Sequence, residues 1–149
     1  MLMETELFTR LDWSELARAT VRLLAAILLG AAIGWERERA RRFAGLRTHI
    51  LVTVGSAAFM MLGMEMVERS GSGDPTRIIQ GVAMGIGFLG GGTILKMPDE
   101  QKVQGLTTAA GIWTTAAIGV AVGAGWLLLG AVLCALTLLV LTVLRRVET

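Results

Sequence analysis

Cysteine, histidine and charge are scarce in this 149-residue chain: one cysteine, one histidine and 17% charged residues. A lone Cys134 excludes an intramolecular disulfide, and with a single histidine there is no cysteine–histidine zinc pattern. Set in the most leucine-rich stretch, Cys134 reads as a small apolar side chain, buried or facing lipid. The scarcity of charge is matched by 54% hydrophobic residues and a mean hydropathy of +0.65. These residues come in blocks rather than stripes, which excludes an ordinary soluble domain. Met1 to Glu15 lacks the basic start, short apolar core and small-residue cleavage site of a secretory signal, and carries Glu4, Glu6, Asp12 and Glu15 instead. The first apolar segment is therefore expected to stay in the mature protein. No activated nucleophile, acid–base carboxylate pair in a soluble pocket or phosphate-binding loop is present, so no enzyme is expected. The formal charge of +2 gives no reason to expect a nucleic-acid partner, because topology accounts for the basic residues.

Glycine, by contrast, is plentiful, at 19 of 149 residues, against a usual ~7%. Only Gly71 and Gly73 lie in an obvious polar loop. Most others interrupt apolar runs, where a water-soluble helix would lose roughly 1 kcal/mol each. Membrane helices tolerate glycine and use it for close packing. A spanning helix needs about 20 mostly apolar residues, and five are expected, at Leu16–Trp35, Thr48–Val67, Ile78–Leu95, Leu106–Val122 and Trp126–Leu144. The expected fold is an all-α membrane protein, a compact bundle of five transmembrane helices forming a single domain over residues 1–149. No soluble domain is expected after the last span.

Orientation follows from the loops. The run Glu36 to His49 holds five arginines, two glutamates and the only histidine. If it is cytoplasmic, Lys96, Lys102, Arg145 and Arg146 share its side, giving nine basic residues against five (Arg10, Arg18, Arg22, Arg69 and Arg77) on the other. The positive-inside bias then puts the N-terminus outside and the C-terminus in the cytoplasm. Arg39, Arg41 and Arg42 are suited to lipid headgroups.

Small residues recur at four-residue spacing in three spans: Ala26, Gly30 and Gly34; Gly81 and Gly85, with Gly87 and Gly91; and Gly111, Thr115, Gly119 and Gly123. Such rows let helix backbones approach closely, either within one chain or in a homo-oligomer. The fifth span is leucine-rich without such a row and is expected to face lipid.

The chemistry gathers at the cytoplasmic ends. Glu36, Arg37 and Glu38 close the first span, and Arg47, Thr48 and His49 open the second. Gly90, Gly91, Gly92 and Thr93 close the third, and Thr107 and Thr108 open the fourth, with Trp113 further along. Polar groups at this depth need internal pairing or water. Glu38 continues the Ala26–Gly30–Gly34 row and is the better inward candidate, while Glu36 serves equally among the arginines. Arg47 reads either as a member of this layer or as an interface marker, and Thr107 as an N-cap. Glu36 and Glu38 are the residues a metal would use. A magnesium site prefers carboxylates, carbonyls and retained waters to an imidazole, so His49 reads as a hydrogen-bonding residue. Three consecutive glycines either permit a helix crossing or mark a local unwinding that faces an ion or polar ligand. Arg22, about two turns into the first span, needs a partner. Glu65 is the natural one, as a structural pair.

Five stretches in this order resemble the MgtC/SapB family of bacterial inner-membrane proteins: Gly30 to Arg39 (GAAIGWERER), Ala44 to His49 (AGLRTH), Asp74 to Arg77 (DPTR), Gly85 to Ile94 (GIGFLGGGTI) and Gly105 to Trp113 (GLTTAAGIW). Gly91 stands where the family pattern has alanine. The resemblance implies a five-span membrane domain linked to growth under magnesium limitation and, in pathogens, to survival inside host cells. It implies no cofactor, with magnesium the one ion it brings forward. It also implies regulation by binding another membrane protein, the F-type ATP synthase in the virulence members. The competing reading is a small ion or solute transporter or channel with a cytoplasm-facing polar site.

Overall fold

The computed structural model describes residues 13–96 and 103–144. Arg10, Lys102, Arg145 and Arg146, counted above for orientation, lie outside the described residues. The described residues form five helices: α1 (Trp13–Arg39), α2 (Leu46–Ser70), α3 (Thr76–Gly91), α4 (Leu106–Gly123) and α5 (Leu127–Val143). Between α3 and α4, β1 (Leu95–Lys96) pairs antiparallel with β2 (Val103–Gln104), Leu95 opposite Gln104. The fold is an all-α five-helix bundle with this one short strand pair. By length and composition α1, α2 and α4 can each cross a membrane, and α5 is a slightly shorter apolar helix.

Glycine decides which helices touch. α2 is the central helix, packed broadly on α1 and α4. At Gly30 of α1 a Cβ would overlap the Thr53 hydroxyl and lie 2.9 Å from the His49 carbonyl oxygen. At Gly119 of α4 it would lie 2.8 Å from Ser56 Cβ. Two of the small-residue rows are thus intrachain seams against α2, each formed where side-chain bulk is missing. The row on α3 is different: a Cβ at Gly81, Gly85, Gly87 or Gly91 would meet nothing within 4 Å. α3 leans on α4, where Gly90 faces Ala109, and meets α2 only sparsely. α5 packs against α1 and α4 through Gly130, Cys134, Thr137 and Leu141, which are buried, while Leu128 and Leu136 point outward. Cys134 is thus a buried thiol, its Sγ 3.6 Å from the Leu29 carbonyl oxygen.

The third helix ends earlier than its apolar run suggests, so that Leu95 belongs to β1 rather than to a helix. Gly90 and Gly91 remain α-helical and Gly92 caps the helix in right-handed geometry. The turn then tightens: the Thr93 and Ile94 amides donate to the Gly90 and Gly91 carbonyls, and Thr93 Oγ1 donates to Gly90 at 2.8 Å. The glycines act as a terminator with satisfied carbonyls rather than as an unwound ligand-facing segment. At the other end of α3, Asp74 accepts from the Thr76 amide (2.8 Å) and hydroxyl (2.7 Å). These bonds, helped by nearby Arg77, hold the Asp74 carboxyl below its usual pKa.

Candidate functional site: a buried polar layer at one end of the bundle

Where α1, α2 and α4 meet, polar side chains replace apolar ones in the core. Arg37 is 1% exposed, His49 and Thr115 are 0% and Thr108 is 2%. The helical pitch explains why Arg37 turns inward. Counting about 100° per residue from Ala26, position 37 returns to within about 20° of the starting direction, whereas position 38 is about 120° away. The buried row on α1 accordingly runs Ala26, Gly30, Ile33 and Gly34, Arg37. Glu36 lies beside it, largely buried, and its carboxylate pairs with the Arg37 guanidinium.

The expectation that Glu38 faces inward is corrected. Glu38 is exposed, and its Oε2 accepts from the Leu46 amide at 2.8 Å, closing the α1–α2 loop and capping α2 from eight residues upstream. Gly45, the N-cap residue, has no side chain to do this. The two glutamates therefore diverge, one to the buried arginine and one to a helix start. Among the described residues no three His, Cys, Asp or Glu gather as a metal site.

His49 is wired from both sides. Thr115 Oγ1 lies 2.7 Å from the Gly111 carbonyl oxygen and 2.8 Å from His49 Nδ1, so this one hydroxyl bridges the α4 backbone and the imidazole. Thr53 Oγ1 donates to the His49 carbonyl at 2.6 Å. Gly111 packs beside the ring, where a Cβ would make ordinary van der Waals contact with His49 Cε1 at 3.7 Å. His49 Nε2 is buried without a hydrogen-bond partner among the described residues. The result is a continuous chain, Gly111–Thr115–His49–Thr53, that ties α4 to α2 in the plane of the buried arginine.

Of the residues anticipated for this layer, Glu36, Arg37, His49 and Thr108 come together in the interior. Thr48 is half-buried beside it, and Arg47 is exposed at the start of α2. Thr107 is exposed and is not the N-cap of α4; Gly105 is, in left-handed geometry with φ 93° and without side-chain capping. Trp113, 54% exposed, points away from the layer. Gly90 and Thr93 belong to the neighbouring α3–α4 contact, while Gly91 and Gly92 are exposed. Thr53 and Thr115 are members that sequence reasoning did not assign to the site. Their signal was available: Thr53 follows His49 by four residues and Thr115 follows Gly111 by four, which puts each pair on one helix face.

The expected Arg22–Glu65 pair is also corrected. Arg22 Nη1 donates to the Gly123 carbonyl at 3.0 Å, at the end of α4, where an arginine meets both unsatisfied carbonyls and the negative end of the helix dipole. Glu65 pairs with Arg69, four residues along α2. Arg22 and Glu65 still face the same cleft of about 630 Å³ between α1 and α2.

The sequence pattern of the MgtC family matches residues 23–149. Protein SrpB of Synechococcus elongatus is 43% identical over 146 residues, covering 92% of this chain and 79% of its own length. YhiD of Escherichia coli (strain K12), whose name proposes it as a magnesium transporter, is 43% identical over 135 residues, covering 87% of this chain and 62% of its own. Protein MgtC of Brucella abortus (strain 2308) is 46% identical over 113 residues, covering 76% of this chain and 45% of its own. The chain thus spans under two thirds of YhiD and under half of that MgtC. No solved structure matches it. With the family pattern covering residues 23–149 and relatives 43–46% identical, this membrane protein belongs to the MgtC family.

Proposed function

We propose that the protein is a non-enzymatic, multi-pass inner-membrane regulator of magnesium and energy homeostasis that acts by contact with another membrane protein. Its N-terminus lies outside and its C-terminus in the cytoplasm. The observation that carries this reading is the closed polar layer. Its central cation, Arg37, is buried against Glu36, and His49 is sealed between α2 and α4. A magnesium pathway through this end would have to part the buried Arg37–Glu36 ion pair, leaving each charge uncompensated in a low-dielectric interior. The layer works instead as a rigid clamp that presents the arginine-rich α1–α2 loop at the membrane face. The F-type ATP synthase is the partner the family relationship brings forward.

The test uses the full chain in proteoliposomes and in cells. Magnesium flux into liposomes holding only this protein should stay at the level of empty liposomes. In-cell crosslinking from the α1–α2 loop under magnesium limitation should recover a membrane partner, and ATP hydrolysis by membranes containing that partner should fall when the protein is added. Strong flux abolished by Glu36→Gln and Thr115→Val would overturn the regulator reading in favour of a transporter, the role YhiD's name suggests for that relative.

A further inference from the structure

The cleft between α1 and α2 lies at the end of the bundle opposite the polar layer and has no part in the regulatory reading. Its α1 wall carries Glu15, Arg18 and Arg22, whose three- and four-residue spacing puts them on one helix face, and Glu65 and Glu68 stand on the α2 wall. Deeper along the same faces the lining turns apolar, with Leu23 from α1 and Met61 and Leu62 from α2.

Depth divides the cleft. The uncharged stretches 23–35 of α1 and 50–64 of α2 centre on Leu29 and Ala57. A hydrocarbon core about 30 Å thick extends about ten residues from those centres, to the level of Ala19 and Val67. Glu15, Arg18 and Glu68 then stand among lipid headgroups, while Leu23, Met61 and Leu62 lie at acyl-chain depth. Leu62, 63% exposed, leaves that base open to the bilayer. A site charged at headgroup level and apolar beneath has the profile of a lipid rather than of a soluble solute.

Charge pairing selects the headgroup. Glu65 is held by Arg69, whose field also reaches Glu15. Glu68 has no cation partner among the described residues. Arg18 donates to the Ser14 hydroxyl at 3.2 Å and Arg22 to the Gly123 carbonyl at 3.0 Å, both uncharged acceptors. One wall thus offers two cations without a counter-anion, and the other an anion without a counter-cation. A purely anionic head would face Glu68, and a purely cationic one would face both arginines. A head with a phosphate at one end and an ammonium at the other satisfies both walls. A primary ammonium also has N–H groups to donate to the carboxylate, which a quaternary one lacks.

We propose that this cleft binds a zwitterionic, primary-amine phospholipid of the phosphatidylethanolamine class. Arg18 holds the phosphate, with the charge of Arg22 one turn deeper, and Glu68 accepts from the ammonium. The site is independent of the regulatory reading and of which membrane face it occupies.

Native mass spectrometry of the detergent-solubilised full chain tests it, by titration with phosphatidylethanolamine, phosphatidylcholine or phosphatidylglycerol of the same acyl chains. Phosphatidylethanolamine should bind at least about fivefold more tightly than either of the others, somewhat under the increment of one hydrogen bond to a charged group. Arg18→Gln should weaken it about tenfold, the loss of one such bond. Glu68→Gln should bring phosphatidylglycerol level with it, and Arg47→Gln, at the other end of α2, should change nothing. Arg18 and Glu68 are exposed, so circular dichroism and melting of these variants should match the parent. If either variant lowers the helical signal, Arg18→Lys and Glu68→Asp decide the point, since they keep the charges and should keep the preference. Equal binding of the three lipids, or a preference unchanged by Glu68→Gln, overturns the proposal. So does displacement of bound lipid by free phosphoethanolamine at equal concentration, since the site would then take the soluble zwitterion.

Discussion

A guanidinium withdrawn from water costs several kcal/mol unless a counter-charge and hydrogen bonds go with it. Arg37 takes its counter-charge from the residue beside it, an arrangement that works only because Glu36 is itself largely buried. Glu36→Gln should therefore destabilise the protein by about 3–5 kcal/mol, as removing one member of a buried pair does. Glu38→Gln, which weakens an exposed cap, should cost nearer 1 kcal/mol. Thermal melting in detergent compares the two, and equal losses would refute the inward role of Glu36. A second contrast separates glycines that are seams from glycines that are not. Gly119→Ala would push a methyl to 2.8 Å from Ser56 Cβ and close to the Thr53 carbonyl, an overpacking worth about 1–3 kcal/mol. Gly87→Ala meets nothing within 4 Å and should be neutral or stabilise α3 by about 0.5–1 kcal/mol. The same melting curves read both.

At the level of the element, the α4–α5 hairpin depends on a residue of α1. The turn is tied by the Gly125 and Trp126 amides, each 2.9 Å from its carbonyl partner on α4, and Gly125 has φ 89°. Arg22 supplies the remaining donor, to Gly123. Arg22→Leu should lower stability by about 1.5–3 kcal/mol, the range for a hydrogen bond to a charged group, and should speed hydrogen exchange at the α4–α5 turn. Glu65→Gln should leave that exchange unchanged; equal acceleration of the turn would show that Arg22 pairs with Glu65 instead. The helices themselves were largely legible, because long apolar blocks bounded by charge admit few other readings. What failed had two physical causes. The Ala26–Gly30–Gly34 row extended to Glu38 accumulates about 40° of error per step, which swaps the roles of Glu38 and Arg37. Partners distant in sequence, such as His49 with Thr115 and Arg22 with Gly123, leave no local trace, so membrane depth alone matches Arg22 to Glu65 rather than to a helix-end carbonyl.

For the whole molecule, the proposed orientation, with the arginine-rich α1–α2 loop in the cytoplasm, can be tested by labelling. In a Cys134→Ala background, Arg41→Cys should be shielded from a membrane-impermeant maleimide on intact cells and react once the membrane is opened. Ser72→Cys, in the α2–α3 loop, should be labelled on intact cells. The reverse pattern would overturn the topology and, with it, the cytoplasmic position of the arginine-rich loop.

The Arg22–Gly123 bond also gives the bundle a history. Its two members are 101 residues apart, so at roughly 5–20 residues per second α1 waits about 5–20 s for its acceptor to be made. Through that interval Arg22 lacks its final acceptor. Insertion of the last hairpin completes the first helix, and a chain stalled before α4 should be visibly incomplete to membrane quality control.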